Sequence, residues 1–384
     1  MKILGFNPSH HSSVCLLEDG KIKFFLQEDR LSRIKNSHYP FKLFIDLLQQ
    51  HSINAIAWGT PSLEYPVETN SLHLGTYWEK IALALNNKKD IKIFDYSSKG
   101  HHVTHAASTF FNSGFKEAAV LVVDGVGSII ESLGRETETI YTAHYPCTFN
   151  VLYKNIISHQ VKDTSHKNYY IDSGTTVGMS YGAITMHLGW DRNEAGKTMG
   201  LSSYGKFSSQ IPQFFNSKNR IPLDIMYTDW EKKGRHNNHD LNFINETTNP
   251  QLTPETPLYE WHYNPKKIRN IEKDLAYQIQ KETQEIVGDY IEKIIDTTGI
   301  TQICCAGGYF LNCVANYYLV KRFPKVKFYF EPNSNDAGTA IGAAQLAYRE
   351  ITQDKNIYPQ TTLYHGPQYT KEQLLKGIQK YLSN

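Results

Sequence analysis

Over the first hundred positions, apolar residues come in short runs closed by turn residues. "KILGF" predicts one strand, and the two halves of "SVCLLEDGKIKFFLQED" predict a β-hairpin turning at Asp19-Gly20. An Asp-Gly pair between apolar runs supplies the left-handed backbone that a tight hairpin needs. "INAIAWG" at 53–59 and "IKIFDY" at 91–96 predict two more strands, while "FKLFIDLLQQH" and "TYWEKIALALNN" carry helical spacing. Strands alternating with helices point to an α/β sheet.

The pattern then restarts. "EAAVLVVDGVGSII" is a strand turning on Gly125 and Gly127, followed by hairpin strands in "ETETIYTAHY" and "CTFNVLYKNII". Two lobes that each open on a hairpin suggest a duplicated fold, with residues 1–115 as the first lobe, 116–350 as the second and 351–384 as a tail. From 206 to 269 the chain is polar and irregular, with Pro212, Pro222, Pro250, Pro254, Pro257 and Pro265, and reads as an insertion or lid facing an acceptor. Leu275, Ile279, Ile286, Tyr290 and Ile294 recur at the spacing of a long amphipathic helix. It feeds the strand "ITQICCA", the glycine turn "GGYFLN" and another helix, and "KEQLLKGIQKYL" gives the tail one short helix.

Composition adds bounds rather than a function. With 384 residues the chain is long enough for two packed lobes, and 40 basic against 38 acidic residues leave a net charge of +2. That balance does not imply a global electrostatic grip on nucleic acid and leaves room for a local patch. Five cysteines, odd in number and without paired metal spacing, suit reduced thiols in a cytoplasmic protein. The N-terminal apolar run is too short for a signal peptide, and no stretch approaches the ~20 apolar residues of a membrane span. The expectation is a soluble cytoplasmic chain with no membrane partner.

The candidate chemistry starts at "GHHVTHAAS", 100–108. His101 and His105 are four residues apart, so on a helix both rings project from one face, where they could share a metal or form a solvated helix start. His102 points elsewhere. Asp124 closes an apolar strand beside glycines, and Asp336 in "NSNDAGTAIGAA" repeats acid, glycine and small residues at a helix start. Each is a ligand or an ordinary turn and capping residue. Two histidines and two carboxylates form a mixed set suited to Fe(II), Mn(II) or Zn(II). Three glycine-rich stretches, "DGVG" with Gly125 and Gly127, "GKTMGLSSYG" with Lys197, and "AGGYFLNCVAN" with Gly307 and Gly308, read as turns that cradle a phosphate or serve packing. Cys304 and Cys305 lie in an apolar strand and Cys313 follows in the next helix, which favours inert thiols over nucleophiles.

The blocks "GFNPSHHSSVCLLEDGKI", "QEDRLSRIK", "HHVTHAASTFFNSGFKEAAVLVVDGVG", "YGAITMHLGW", "EAGKTMGLSSYG", "AGGYFLNCVANYYL" and "NSNDAGTAIGAA" resemble, in order, those of the O-carbamoyltransferase family of nodulation-factor, cephamycin and aminoglycoside biosynthesis. The resemblance runs from residue 3 to about 346. It implies a two-lobed, actin/hexokinase-like α/β fold, which is a duplicated ribonuclease H-like fold. It implies a divalent metal, Fe(II) foremost with Zn(II) or Mn(II) as alternatives, on His101, His105, Asp124 and Asp336. It further implies carbamoyl adenylate, made from carbamoyl phosphate and ATP, as donor, with the adenosine against Gly307, Gly308 and Asn312. Lys197 would neutralise the adenylate phosphate, and His10 would act as general base or remain a turn residue. Arg30, Arg33 and Lys35 would help hold the anionic donor or form a solvated strand end.

Two departures stand beside the resemblance. His11 follows His10 where the family usually has an aspartate, and the chain ends at "HGPQYTKEQLLKGIQKYLSN", where family members normally continue into a domain that makes the adenylate. The expectation is an adenylate-forming domain acting in trans, a truncated chain or a different donor; a homodimer is a further expectation. "EKKGRH" and "WHYNPKKIR" in 206–269 suit phosphate contacts and base stacking or a solvated loop. The acceptor hydroxyl is therefore read as a hydroxymethylpyrimidine in a nucleotide or DNA, alternatively a small sugar or antibiotic-like metabolite. A non-catalytic nucleotide-binding partner subunit is the reading of another class.

Overall fold

The structure, a computed structural model, describes residues 1–61, 76–86, 90–130, 134–157, 164–166, 169–172, 176–209, 211, 214–215 and 270–382. The first lobe runs β1 (Lys2–Asn7), β2 (Ser13–Glu18), β3 (Lys21–Gln27), α1 (Asp29–Ser32), α2 (Phe41–Gln50), β4 (Ala55–Trp58), α3 (Thr76–Leu85), β5 (Lys92–Asp95) and α4 (His101–Ser113). The second runs β6 (Glu117–Val123), β7 (Ile129–Ile130), β8 (Gly134–His144), β9 (Thr148–Ile157), β10 (Thr164–His166), β11 (Tyr169–Asp172), α5 (Val177–His187), α6 (Ala195–Ser202), α7 (Asn270–Thr298), β12 (Gln302–Ala306), α8 (Cys313–Arg322), β13 (Lys327–Phe330) and α9 (Thr339–Thr352). A final helix, α10 (Lys371–Leu382), has no buried residue.

The duplication expected from the repeated hairpins is explicit in the topology. The first sheet has the order β3-β2-β1-β4-β5, with β1–β2 and β2–β3 antiparallel and β1–β4 and β4–β5 parallel. In the second, β9-β8-β6-β12-β13 repeats that order and those directions strand for strand, and β11 and β10 extend its edge. This is the ribonuclease H-like sheet twice, the architecture of actin and hexokinase.

Two helices lie between the sheets. α9 follows the second sheet in the chain but packs on β1, β2 and β4 of the first, while α4 follows the first and packs on β6 and β12 of the second. The core between the lobes joins Ile3, Ala55 and Ala57 to Phe110, Ile341, Val120 and Val122, all buried. Full burial of such a Phe or Ile contributes about 1.5–3 kcal/mol. The helices touch backbone to backbone at Gly342, where a Cβ would stand 1.8 Å from the Thr104 carbonyl oxygen. That contact requires glycine and fixes α4 against α9.

The sequence readings for most of 206–269, including the acceptor lid and its basic and aromatic clusters, lie outside the described residues. Among the described residues, no helix is long and apolar enough to cross a membrane.

Candidate metal centre

The carboxyl ends of the parallel strands from both sheets meet in one place, as open α/β sheets place their ligands. Asn7 ends β1, Gly59 follows β4, Asp124 follows β6 and Gly307 follows β12. α4 begins after Gly100 and ends at Gly114, whose left-handed backbone closes the helix. His101 and His105 share one face of it, fully buried, with their Nε2 atoms 3.0 Å apart. His101 Nδ1 donates to the Gly59 carbonyl at 2.6 Å. A carbonyl can only accept, so this bond fixes the tautomer and turns the Nε2 lone pair toward His105.

Two acids complete the group. Asp124 is buried, and its Oδ1 accepts from the Gly308 N–H at 3.0 Å. Asp336 opens a 3₁₀ turn before α9; its Oδ1 is 3.5 Å from His101 Nε2 and 3.7 Å from His105 Nε2. One ligand atom from each of His101, His105, Asp124 and Asp336 lies within 4.8 Å of the other three. Nitrogen and oxygen ligands each about 2.1 Å from a shared ion stand about 3–4 Å apart, so this set fits a divalent cation. His105 Nδ1 is buried without a hydrogen-bond partner among the described residues. The acids favour positive charge at this place: burial depresses the His101 pKa, but Asp336 and Asp124 raise it to about 9. Burial likewise opposes ionisation of Asp336, yet His10 and His101 hold it well below the usual carboxylate range.

His10 sits at the mouth of the group. Its Nε2 is 3.5 Å from Asp336 Oδ2, which also lies 3.4 Å from Ser9 Oγ. Asp336 is thus an acid within reach of the His10 ring. The loop is pinned by Asn7, whose Nδ2 donates to the carbonyls of His10 and His11 at 3.1 and 3.4 Å. His11 takes the left-handed backbone at φ 56°, and burial and the His10 ring lower its pKa.

The remaining candidates fall into separate places. "GKTMGLSSYG", read as a glycine turn, is instead helical over 195–202. A capping box between Asp191 and Glu194 starts the preceding 3₁₀ turn, and helix then continues through Gly196 and Gly200. Lys197 and Lys35, from different lobes, converge on Glu194 at 2.7 and 3.8 Å. Arg30 faces Asp29 at 3.5 Å, and Arg33 caps α1 with a left-handed backbone. The Asn312 side chain caps α8 through Ala315 N–H and pairs with Gln280. Gly125 lies against Arg192, and Gly127 against Glu136. Cys304 and Cys305 are buried with raised pKa values, as inert thiols are, whereas Cys313 is exposed with its Sγ 3.9 Å from Met199 Sδ. His102 faces Thr139, away from the four ligands, as expected.

Sequence reasoning missed Ser9, Asn7, Gly59 and His38, whose ring lies 6.4 Å from that of His10. The signal for Asn7 and Gly59 was their place at the carboxyl ends of parallel strands; nothing in the spacing of His38 marks it.

A family model described as the N-terminus of carbamoyltransferases matches residues 67–345. The chain belongs to the carbamoyltransferase N-terminus family. All four candidate ligands and Lys197 fall within the matched span, and His10 precedes it. Among curated relatives, an uncharacterized protein of Synechocystis sp. is 26% identical over 98% of this chain and 62% of its own length. Nodulation protein NolNO of Sinorhizobium fredii is 22% identical over 93% of this chain and 49% of its own length. Nodulation protein NolO of Bradyrhizobium diazoefficiens is 23% identical over 71% and 42%. The chain thus spans about half the length of the curated relatives it matches. A crystal structure of HypF from T. kodakarensis has the same fold, with a TM-score of 0.53 at 12% identity, covering 93% of this chain and 49% of that one.

Proposed function

We propose that this chain is the transfer domain of a metal-dependent O-carbamoyltransferase that moves a carbamoyl group from carbamoyl adenylate to an acceptor hydroxyl. The observation that carries the reading is the pairing of His10 with Asp336, which puts a half-exposed base beside a buried ligand set. His101, His105, Asp124 and Asp336 would hold the divalent ion, which supplies charge neutralisation for the phosphate of the donor. Lys197 and Lys35, which both pair with Glu194, would exchange it for that phosphate.

In the transfer, the acceptor oxygen bonds to the carbamoyl carbon, the bond from that carbon to the phosphate oxygen breaks, and AMP departs with the electron pair. His10 Nε2 takes the hydroxyl proton, and the Asp336 carboxylate stabilises the imidazolium that results. ATP and carbamoyl phosphate would be the source of the donor, made by an adenylate-forming domain. The acceptor class is a hydroxylated small molecule or a hydroxymethylpyrimidine.

The test is mass spectrometry of an acceptor panel containing aminoglycosides, a chito-oligosaccharide and hydroxymethylcytosine as nucleotide and DNA. The panel is incubated with the protein, Fe(II) and carbamoyl adenylate formed in trans. A gain of one carbamoyl group on one acceptor, lost in Asp336→Ala, supports the reading and names the substrate. No gain with any acceptor, alongside nucleotide binding that survives Asp336→Ala, favours a non-catalytic partner subunit.

A further inference from the structure

The helix that carries two of the four ligands has no cap of its own, because Gly100 offers no side chain. Its first N–H groups are answered from the second lobe. Ser128 Oγ accepts from His101 N–H at 3.0 Å, and Glu136 Oε1 accepts from His102 N–H at 3.0 Å. The same Oε1 accepts from Ser128 N–H at 3.2 Å. The Glu136 backbone adds two bonds, donating to the Ser128 carbonyl at 3.0 Å and accepting from Gly127 N–H at 2.7 Å. One fully buried carboxylate on β8 therefore ties the start of α4 to the turn that follows Asp124.

Its other oxygen is spoken for as well. Glu136 Oε2 pairs with the buried Lys154 ammonium from β9 and lies 3.8 Å from His102 Nδ1, which bonds Thr139 Oγ1 at 2.8 Å. His102 stands between the two ligating histidines in sequence, so both its backbone and its ring are fastened to β8. A carboxylate at a helix N-terminus also complements the helix dipole. None of these atoms reaches the four-residue centre, yet they fix the helix face on which two of its ligands stand.

We infer that Glu136 is a positioning residue for the metal centre, holding His101 and His105 in register with Asp124 through the capped start of α4. This inference rests on the metal-centre reading above. Groups that orient metal ligands support affinity strongly, and their removal typically lowers it about 10–100-fold.

The experiment compares two double variants, since removing Glu136 alone strands the Lys154 charge. Glu136→Gln with Lys154→Met keeps an oxygen acceptor for the two N–H groups; Glu136→Ala with Lys154→Met removes it. Lys154 borders a cavity of about 420 Å³, which gives the methionine room. Co(II) affinity by equilibrium dialysis, the Co(II) d–d absorption and the thermal midpoint are measured for each. The Gln/Met protein should bind Co(II) within about threefold of wild type, and the Ala/Met protein about tenfold or more weakly with an altered d–d band. Equal affinities and spectra in the two double variants would overturn the inference. Should the Ala/Met protein show no cooperative unfolding, Ser128→Ala, which removes the acceptor of His101 N–H, decides instead, and unchanged Co(II) affinity there overturns it. A wild-type protein that binds no Co(II), Fe(II), Mn(II) or Zn(II) defeats the metal-centre reading itself and this inference with it.

Discussion

The Nε2 atoms of His101 and His105 face one another at 3.0 Å in the buried interior, with the Asp336 carboxylate within 3.7 Å of both. Two ring nitrogens at that spacing either share a proton or turn both lone pairs to one cation, and the acids favour positive charge. His105→Ala and Asp336→Ala should each abolish stoichiometric metal binding and carbamoyl transfer. In thermal unfolding, Mn(II) at about 100 times its dissociation constant should stabilise wild type by about 2.7 kcal/mol and leave Asp336→Ala unmoved. A metal-induced rise that persists in Asp336→Ala would contradict this assignment.

The pH dependence of stability carries a signature of His102. Burial, the largest influence, lowers its pKa to about 3 despite the nearby Glu136 carboxylate. The unfolded ring takes a proton below its ordinary value near 6.5, while the folded ring refuses one until about pH 3. Stability from this group is therefore full above pH 6.5 and is lost as pH falls, by about 2 kcal/mol at pH 5. Glu136, raised by burial but brought down to about 2 by partners that include the Lys154 ammonium and the His102 backbone N–H, adds loss only below its ordinary value of 4.5. Urea unfolding in chelator should show His102→Asn losing about 2 kcal/mol less than wild type between pH 7.5 and pH 5. His11 and His38, lowered by burial, act in the same direction in both proteins and cancel in the comparison.

Much of this architecture is legible in local pattern. The Asp19-Gly20 hairpin, the strand "AAVLVVD" and the long helix α7 announce themselves because hydrophobic period and turn chemistry agree there. His101 and His105 were readable because four-residue spacing fixes a shared helix face, and Asp124 and Asp336 because each ends a strand or opens a helix beside glycine. What the pattern does not contain is contact across lobes. Glu136 looks like one acid in the polar alternation "ETETIYTAH", and only the tertiary fold shows that it caps a helix more than thirty residues earlier in the chain. The helix at 195–202 is hidden in the sequence because its glycines read locally as a turn, whereas the capping box before it and packing against α7 override their low propensity.

Glu194 pairs with both Lys197 and Lys35. Both lysines are largely exposed, so each ion pair contributes little to stability and can be exchanged for a phosphate at small cost. Lys197→Ala should therefore leave the thermal midpoint within about a degree of wild type and raise the donor KM about tenfold. Steady-state kinetics with varied carbamoyl adenylate make the measurement; an unchanged KM would remove Lys197 from the donor site.

Glycine substitutions separate structural from permissive positions around the centre. Gly307 has φ +96°, and a Cβ there would stand 2.3 Å from the Val123 carbonyl oxygen, at the strand end that leads into Asp124. Its carbonyl and N–H are both held by Ser334, and the next N–H, that of Gly308, serves the Asp124 carboxylate. Gly307→Ala must therefore push two backbones apart and shift the Asp124 ligand, so it should cost about 2–4 kcal/mol and weaken metal binding together. Gly196, inside α6, has open space around its would-be Cβ and an ordinary helical backbone. Gly196→Ala should stabilise the protein by about 0.5–1 kcal/mol through helix propensity alone, with metal affinity unchanged. Urea titrations of both variants with and without Mn(II) make the comparison; a Gly307→Ala protein as stable as Gly196→Ala would show that the strand end and the Asp124 turn are free to relax.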